Sequence, residues 1–178
     1  MGNKQSTYKY VWTPDLPDLR DKFKIFQSNE INSYVTTINL KNKLPKINSS
    51  IYYHNCATEA IMTAYLYNEL KCKNIKSYQN NLSYLFLNYN QRILSKKNDS
   101  SSIRDCLKSI NVFGLCTNSD WSDYLYNVNI KPYNICYDNA LNSNFINYKK
   151  IKQELEQLKL CLENNFPIIC GISIYKSF

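Results

Sequence analysis

The spacing of apolar residues predicts a helix that begins at Cys56. Apolar side chains recur there every three or four positions, at Ala57, Ala60, Ile61, Ala64 and the stretch from Tyr67 to Leu70. Asn55 is suited to cap the first turn, and Glu59 places a negative charge near it, where the helix dipole favours one. Cys56 is therefore predicted to stand at the N-terminus of a helix.

Three further apolar stripes predict helices later in the chain. The second consists of Leu82, Leu85, Phe86, Tyr89 and Ile93. The third consists of Ile103, Leu107, Ile110 and Phe113 and ends at Gly114. The last and most regular consists of Tyr148, Ile151, Leu155, Leu158 and Leu162, with charged residues between them. All three are predicted to face a core.

The remaining segments predict coil and at most two strands. Two prolines make residues 12–21 a coil, residues 35–40 alternate weakly enough to be a short strand at best, and residues 41–55 are predicted to form a loop. The β-branched run from Phe166 to Tyr175 predicts a buried strand. Its partners would be earlier coil segments, or the sheet to which it belongs has been cut off. The sequence thus predicts one compact α+β unit, with the helices first.

Composition excludes several classes of function. Glycine occurs only at positions 2, 114 and 171, so no glycine-rich loop can cradle a phosphate. The single histidine excludes a histidine-based metal site, and no cofactor is predicted. The formal net charge is +8, but the lysines are spread along the chain, so no specific nucleic-acid surface is predicted. No signal peptide or membrane-spanning stretch is recognisable, which predicts a soluble, cytoplasmic protein.

The cysteines predict one reactive thiol among buried ones. The chain has 7 cysteines, an odd number with no C-x-x-C pair, so neither a disulfide framework nor a zinc site is predicted. Most are interpreted as small buried hydrophobic residues. A thiol at the positive end of a helix is ionised more readily, which singles out Cys56 as the candidate nucleophile. His54, two residues earlier, is an alternative partner for this thiol, although a histidine in a loop is more often a surface residue.

The N-terminus carries a candidate lipidation site. Residues 1–6 match the M-G-x-x-x-[ST] pattern, in which Gly2 is myristoylated after removal of Met1. A single acyl chain anchors a protein only weakly, so any membrane association would be weak and would depend on Gly2.

Four ordered blocks resemble the papain superfamily of cysteine peptidases, in particular the branch found in large DNA viruses. Residues 39–47 resemble the family's approach to the nucleophile, and residues 55–60 resemble the start of the helix that bears it. Residues 85–92 resemble the family's L-F-x-Y-Y-N-A-R helix. Residues 99–105 resemble the family's turn and helix cap, D-x-G-x-S-I-R-D. Residues 113–124 resemble its segment Y-G-V-C-x-E-x-x-W-P-Y. The segments 158–162 and 166–178 resemble the following helix and first barrel strand, and residues 12–18 resemble the N-terminal lead-in.

This resemblance implies a papain-like cysteine proteinase fold that is incomplete. Residues 1–38 would be an extended lead-in, and residues 39–178 would be the mostly helical left-domain portion plus the first barrel strand, with the C-terminal part of the barrel missing. Cys56 would form the acyl-enzyme. Ser50 stands where the family has the glutamine that donates to the oxyanion, a contribution of about 3 kcal/mol. His54 and Asn55 replace the family's Gly-Ser, and the family's general-base histidine would lie beyond this sequence.

Three hypotheses about function follow. The chain is a cysteine-type peptidase acting on peptide or protein substrates, with the histidine supplied by a C-terminal partner segment. Alternatively, it is an inactive remnant that serves as a binding or virion structural protein. The third hypothesis is a basic, lipidated interaction protein in which the likeness reflects ancestry alone. The predicted location is the host cytoplasm or the virion.

Overall fold

The computed structural model of the chain describes residues 13–27, 37–45, 56–73, 82–96, 102–140 and 146–172. Within these ranges the elements are β1 (Phe23–Lys24), a 3-10 helix (Lys41–Lys43), α1 (Cys56–Lys73), α2 (Tyr84–Ser95), α3 (Ile103–Phe113), a second 3-10 helix (Leu125–Asn129), α4 (Asn134–Ala140), β2 (Lys150–Ile151) and α5 (Leu155–Glu163). The prediction of a mostly helical α+β unit is confirmed.

The first three predicted helices are confirmed as α1, α2 and α3, which share one core. Buried apolar residues from all three helices meet in one cluster, which includes Ala57, Ile61, Met62, Leu66, Leu87, Cys106, Leu107 and Ile110. The helices begin and end where local chemistry requires it. Ser83 and Ser102 cap α2 and α3 through their hydroxyl oxygens, and Gly114 ends α3 at a φ of 73°, a conformation that glycine adopts without steric cost.

A second apolar cluster joins α2 to the segment after α3. It contains Leu85, Phe86, Cys116, Trp121, Val128, Cys136 and Ala140. Two polar residues of α2, from the block that resembles the family motif, bind the segment after α3. The buried Asn90 accepts a hydrogen bond from the Tyr137 hydroxyl at 3.0 Å. The Arg92 guanidinium binds the Val128 carbonyl and, at 3.0 Å, the side chain of Asn129. The second 3-10 helix and α4 were not predicted from the sequence.

The N-terminal lead-in pairs with the C-terminal part of the chain. β1 and β2 form a two-stranded parallel sheet in which Phe23 is opposite Lys150 and Lys24 is opposite Ile151. The lead-in coil predicted for residues 12–21 is confirmed for its described part. Residues 37–40, the described part of the segment predicted to be a short strand at best, contain no strand. The division of the chain at residues 38 and 39 stays a prediction.

The helix predicted from Tyr148 to Leu162 is wrong in its first half. Residues 150 and 151 belong to β2, and α5 begins only at Leu155. The physical reason is tertiary: the Lys150 amide donates to the Lys22 carbonyl at 2.8 Å, which commits this segment to pairing with the lead-in. Ile151 does face the core beside Leu160, as the stripe requires, but it does so from a strand.

Side chains of α3, β2 and α5 bind the lead-in to the rest of the described structure. The Arg104 guanidinium and the Lys150 ammonium both bind the Asp21 carboxylate, at 2.8 Å and 2.6 Å. The Gln157 amide binds the backbone of Phe26 twice, accepting from its N–H at 2.9 Å and donating to its carbonyl at 3.0 Å. Phe26 itself is buried against Leu160 and Cys161. The lead-in is therefore held in one register.

The strand predicted from Phe166 to Tyr175 is not confirmed in its described part. Residues 166–172 are neither helical nor paired with any described segment, and Phe166 and Ile172 are exposed rather than buried. A segment rich in β-branched residues forms a strand only where a neighbouring segment hydrogen-bonds to its backbone. Among the described residues, β1 pairs with β2 and not with this segment. Residues 173–178 lie outside the described ranges.

Candidate functional site

Cys56 is the first residue of α1, and its side chain is exposed to solvent. The helix that follows has 18 residues, so its aligned peptide dipoles direct partial positive charge toward this thiol. The sequence prediction that a helix begins at Cys56 is thus confirmed, and the thiol is accessible to a substrate.

The residues directly after Cys56 anchor the helix start. Ala57 and Thr58 are almost fully buried, with 3% and 0% of their surfaces exposed. The Thr58 hydroxyl lies 3.8 Å from the Cys106 sulfur, so this turn of α1 is bound to α3 by both packing and a polar contact. A nucleophile on a rigidly held turn loses little conformational entropy on reaching a substrate. Thr58 could not be predicted from the sequence, because a threonine in a helix has no distinctive pattern.

Glu59 lies one turn after Cys56 and near the start of α2. Partial burial raises the pKa of its carboxyl group above the usual range. Burial also raises the pKa of Tyr84, and the negative charges of Glu59 and Asp123 add to that effect. Two acidic groups thus lie near the start of α2, Glu59 on α1 and Asp123 in the loop before the second 3-10 helix.

Four of the cysteines are structural, and three are exposed. Cys106, Cys116, Cys136 and Cys161 are buried. Desolvation raises the thiol pKa of each, in the case of Cys106 to about 12, so these thiols stay protonated and inert at neutral pH. Cys56, Cys72 and Cys170 are exposed. The prediction that most cysteines act as buried hydrophobic residues is confirmed.

The starts of α2 and α3 receive carboxylates from distant segments, a feature that the sequence did not reveal. Asp123 accepts from the Leu85 N–H at 2.9 Å and from the Ser83 hydroxyl at 3.2 Å. The Asp15 carboxylate accepts from the Arg104 N–H, with both oxygens at 3.2 Å. Desolvation raises the pKa of Asp123 despite these hydrogen bonds. Such pairings join residues far apart in the sequence, so no local spacing indicates them.

The remaining predicted site residues lie outside the described ranges. These are Ser50, the candidate oxyanion donor, His54 and Asn55 next to the thiol, and Gly2, the candidate lipidation site. Their roles stay predictions. Among the described residues, no group of three or more histidine, cysteine or acidic side chains is placed to hold a metal ion. None of the helices in the described ranges is long and apolar enough to cross a membrane.

Comparison with known proteins identifies two similar chains. No protein-family profile matches the sequence. It is 29% identical over 189 residues to an uncharacterized peptidase C1-like protein, L477, of Acanthamoeba polyphaga mimivirus, an alignment that covers 91% of this chain and 60% of that protein. In three dimensions it is similar to the crystal structure of xylellain, a cysteine protease from Xylella fastidiosa, with a TM-score of 0.66, 23% identity and coverage of 87% of this chain and 63% of that chain. The chain thus spans about three fifths of the length of each.

Proposed function

We propose that the chain is the nucleophile-bearing part of a papain-like cysteine-type peptidase, because it is similar to a peptidase C1-like protein of a large DNA virus and has the fold of a cysteine protease. The observation that carries this proposal is the position of Cys56, the exposed thiol at the start of the helix that anchors the core. Its substrates would be peptides or proteins.

The chemistry required of Cys56 is a two-step acyl transfer. The Cys56 sulfur attacks the carbonyl carbon of the scissile peptide bond, a C–S bond forms, and the C–N bond breaks as the amine leaves with a proton. Water then attacks the resulting thioester, releases the carboxylate product and restores the thiol. The buried Thr58 and Ala57 hold the attacking sulfur in place during both steps.

Both steps need a base that accepts and returns a proton. The only histidine in the sequence is His54, two residues before the thiol. We propose that the base is supplied instead by a histidine-bearing segment outside this sequence, because a histidine so close in the chain has little freedom to reach both the thiol and the leaving amine. Ser50 would contribute to the oxyanion site only weakly, since a serine hydroxyl is shorter than the side chain it replaces.

The alternative function is an inactive papain-like remnant that serves as a binding or virion structural protein. Two departures favour it: Ser50 stands in the position of the oxyanion glutamine, and His54-Asn55 stands in the position of the family's Gly-Ser. A bulky imidazole ring there would obstruct the passage of a substrate backbone. In this alternative Cys56 is one more exposed thiol without special reactivity.

Selective labelling distinguishes the two functions. The chain is treated with a mechanism-based electrophile for papain-like thiols at pH values from about 5.5 to 8.5, and the modified cysteines are located by mass spectrometry. The proposal predicts that Cys56 reacts at least about ten times faster than Cys72 and Cys170 near pH 6. Cys72 is a matched control, because it is exposed near the other end of the same helix, where the dipole is negative.

Two outcomes would support the remnant instead. One is equal labelling of the three exposed cysteines at every pH. The other is a Cys56 that reacts only as the pH approaches about 8.5, the value for an ordinary thiol. A Cys56→Ser variant identifies the signal, and a Cys72→Ser variant should leave it unchanged.

A further inference from the structure

The second 3-10 helix, α4 and the segment between them expose large apolar side chains to solvent. Six of these side chains are between 45% and 70% exposed: Tyr124, Leu125, Tyr126, Ile130, Tyr133 and Ile135. We call these six residues the tyrosine patch. Monomeric soluble proteins rarely expose contiguous apolar surface beyond a few hundred Å², and larger exposed patches mark interaction sites.

The tyrosine patch covers one part of the molecule. The buried residues that alternate with it in the chain, Val128 and Cys136, both belong to the second apolar cluster, as does Trp121. The Tyr133 ring stands edge-on to the Trp121 ring, with centroids 5.4 Å apart, and Trp121 precedes the patch by only three residues. The same buried cluster therefore supports both halves of the patch.

The aromatic rings in the first half of the patch are already ordered. The rings of Tyr124 and Tyr126 are stacked, with centroids 5.9 Å apart and an interplanar angle of 11°. The Tyr124 carbonyl accepts from the Asn127 N–H at 2.9 Å, which closes the turn that carries both rings. Tyrosine offers a large contact area at a small cost in conformational entropy, and ordering before binding lowers that cost further.

The exposed area is close to that of one side of a protein interface. The six side chains present on the order of 700 Å² to solvent, given their exposed fractions and the roughly 150–250 Å² that a large aromatic side chain can bury. A specific interface of standard size buries about 800 Å² on each partner. The patch alone can thus supply most of one side of a stable interface.

The polar chemistry of the patch favours a second copy of this chain as the partner. Lys131 is the one charged residue in residues 124–137, so this surface offers no set of charges to a charged partner. Its other polar groups are tyrosine hydroxyls and exposed amides such as that of Asn134, which can all both donate and accept hydrogen bonds. A two-fold interface brings one surface against itself, so it requires such self-complementary groups.

We infer that the tyrosine patch is the interface of a homodimer with two-fold symmetry. The apolar side chains would form the core of the interface, and Lys131 would lie at its rim. Each copy has a formal net charge of +8, so the two copies repel each other, and added salt should strengthen the dimer by screening this repulsion. The inference goes beyond the proposed function and does not depend on it, because no residue of the patch takes part in the proposed chemistry.

Sedimentation equilibrium of the full chain tests the inference. The chain is studied at about 1–200 μM in about 0.05 M and about 0.5 M NaCl, with a reducing agent so that the exposed cysteines cannot cross-link two copies. We expect the mass to rise from 21.0 kDa toward twice that value. The Kd should be about 1–100 μM at the higher salt concentration and at least about threefold larger at the lower one.

Two results of this measurement would overturn the inference. One is a mass that stays at 21.0 kDa at every concentration and both salt concentrations, which would leave the patch to a different protein. The other is an association that added salt weakens, which would indicate contacts between opposite charges rather than an apolar interface.

Three variants locate the interface. Tyr126→Lys and Ile135→Lys each place a positive charge in one half of the patch and should each raise the Kd at least about tenfold. Leu19→Lys is the matched control, because it adds the same charge at a fully exposed apolar residue outside the patch, and it should change the Kd less than about threefold. All three should unfold at the wild-type temperature, since the replaced side chains are exposed. A dimer that either patch variant leaves intact, or that Leu19→Lys weakens equally, would overturn the inference.

Discussion

At the start of α2 a distant, half-buried carboxylate, Asp123, meets the first N–H groups, whereas at the start of α1 the first residue itself carries an exposed thiol, Cys56. Helix starts favour negative charge wherever they occur. In α2 that preference is satisfied inside the protein and stabilises the fold. In α1 it is directed at the exposed Cys56 thiol. Under the proposed function, one physical property thus serves stability at one helix start and chemistry at the other.

The largest expected effect separates chemistry from stability at α1. In a chain that hydrolyses peptides with its partner segment, Cys56→Ala should lower kcat/KM by at least about a thousandfold, because it removes the sulfur proposed to form the acyl-enzyme. The melting temperature should stay unchanged, since the side chain is exposed. Peptide hydrolysis and thermal unfolding measured on the same variant check both parts. Residual hydrolysis within tenfold of wild type would assign the chemistry elsewhere.

The opposite result is expected at α2. Asp123→Ala leaves the Leu85 N–H and the Ser83 hydroxyl without their acceptor and should lower the free energy of unfolding by about 1–3 kcal/mol. Asp123→Asn is the matched control, because its amide oxygen still accepts these bonds. In urea unfolding, the free energy of unfolding of Asp123→Asn should be close to that of the wild type, and that of Asp123→Ala should be well below both. Labelling of Cys56 should not change in either variant.

A smaller effect is expected from the cap of α3. The Ser102 hydroxyl accepts from the Asp105 N–H at 3.0 Å. Ser102→Ala removes this cap and should lower the free energy of unfolding by about 1 kcal/mol. Ser102→Asn, which keeps a capping oxygen, should retain most of this stability. If both variants lost equal stability, packing rather than capping would be responsible.

The smallest effect concerns pH, and it has opposite signs at two carboxylates. Hydrogen bonding to Lys150 and the charge of Arg104 lower the pKa of Asp21, so its contribution to stability is present above about pH 3.9 and is lost as the pH falls through the folded-state pKa. Burial raises the pKa of Asp123, so its contribution is greatest below about pH 3.9 and is lost as the pH rises through its folded-state pKa.

Unfolding midpoints of two variants across the acid range check these signs. Asp21→Asn should be less stable than wild type near neutral pH and should approach it in acid. The stability of Asp123→Asn relative to the wild type should instead increase as the pH rises. Parallel curves for the two variants would show that neither carboxylate titrates as its surroundings require.

Sequence periodicity predicted the helical half of the molecule well because its contacts repeat locally. The stripes at Ile103 to Phe113 and around Leu85 mark faces that are buried in the two apolar clusters, and serines and a glycine stand at their ends. The same reasoning failed at Tyr148 and Ile151, since their structure is decided by the lead-in, more than a hundred residues earlier. The run after Phe166 failed for a related reason, because composition cannot show whether a strand finds a partner.

The site was predicted unevenly for the same physical reason. Cys56 could be singled out because a helix start is a local feature. Asp15, Asp123 and Thr58 could not, because their roles depend on which segments meet in space.

The Gln157 side chain, which binds both backbone groups of Phe26, also constrains the order of events during synthesis. The two residues are 131 positions apart, so these bonds cannot form until the ribosome has added residue 157. The helices α1 to α3, whose contacts are closer in sequence, can assemble earlier. Until α5 has been made, Phe26 lacks both these hydrogen bonds and its apolar contacts with Leu160 and Cys161.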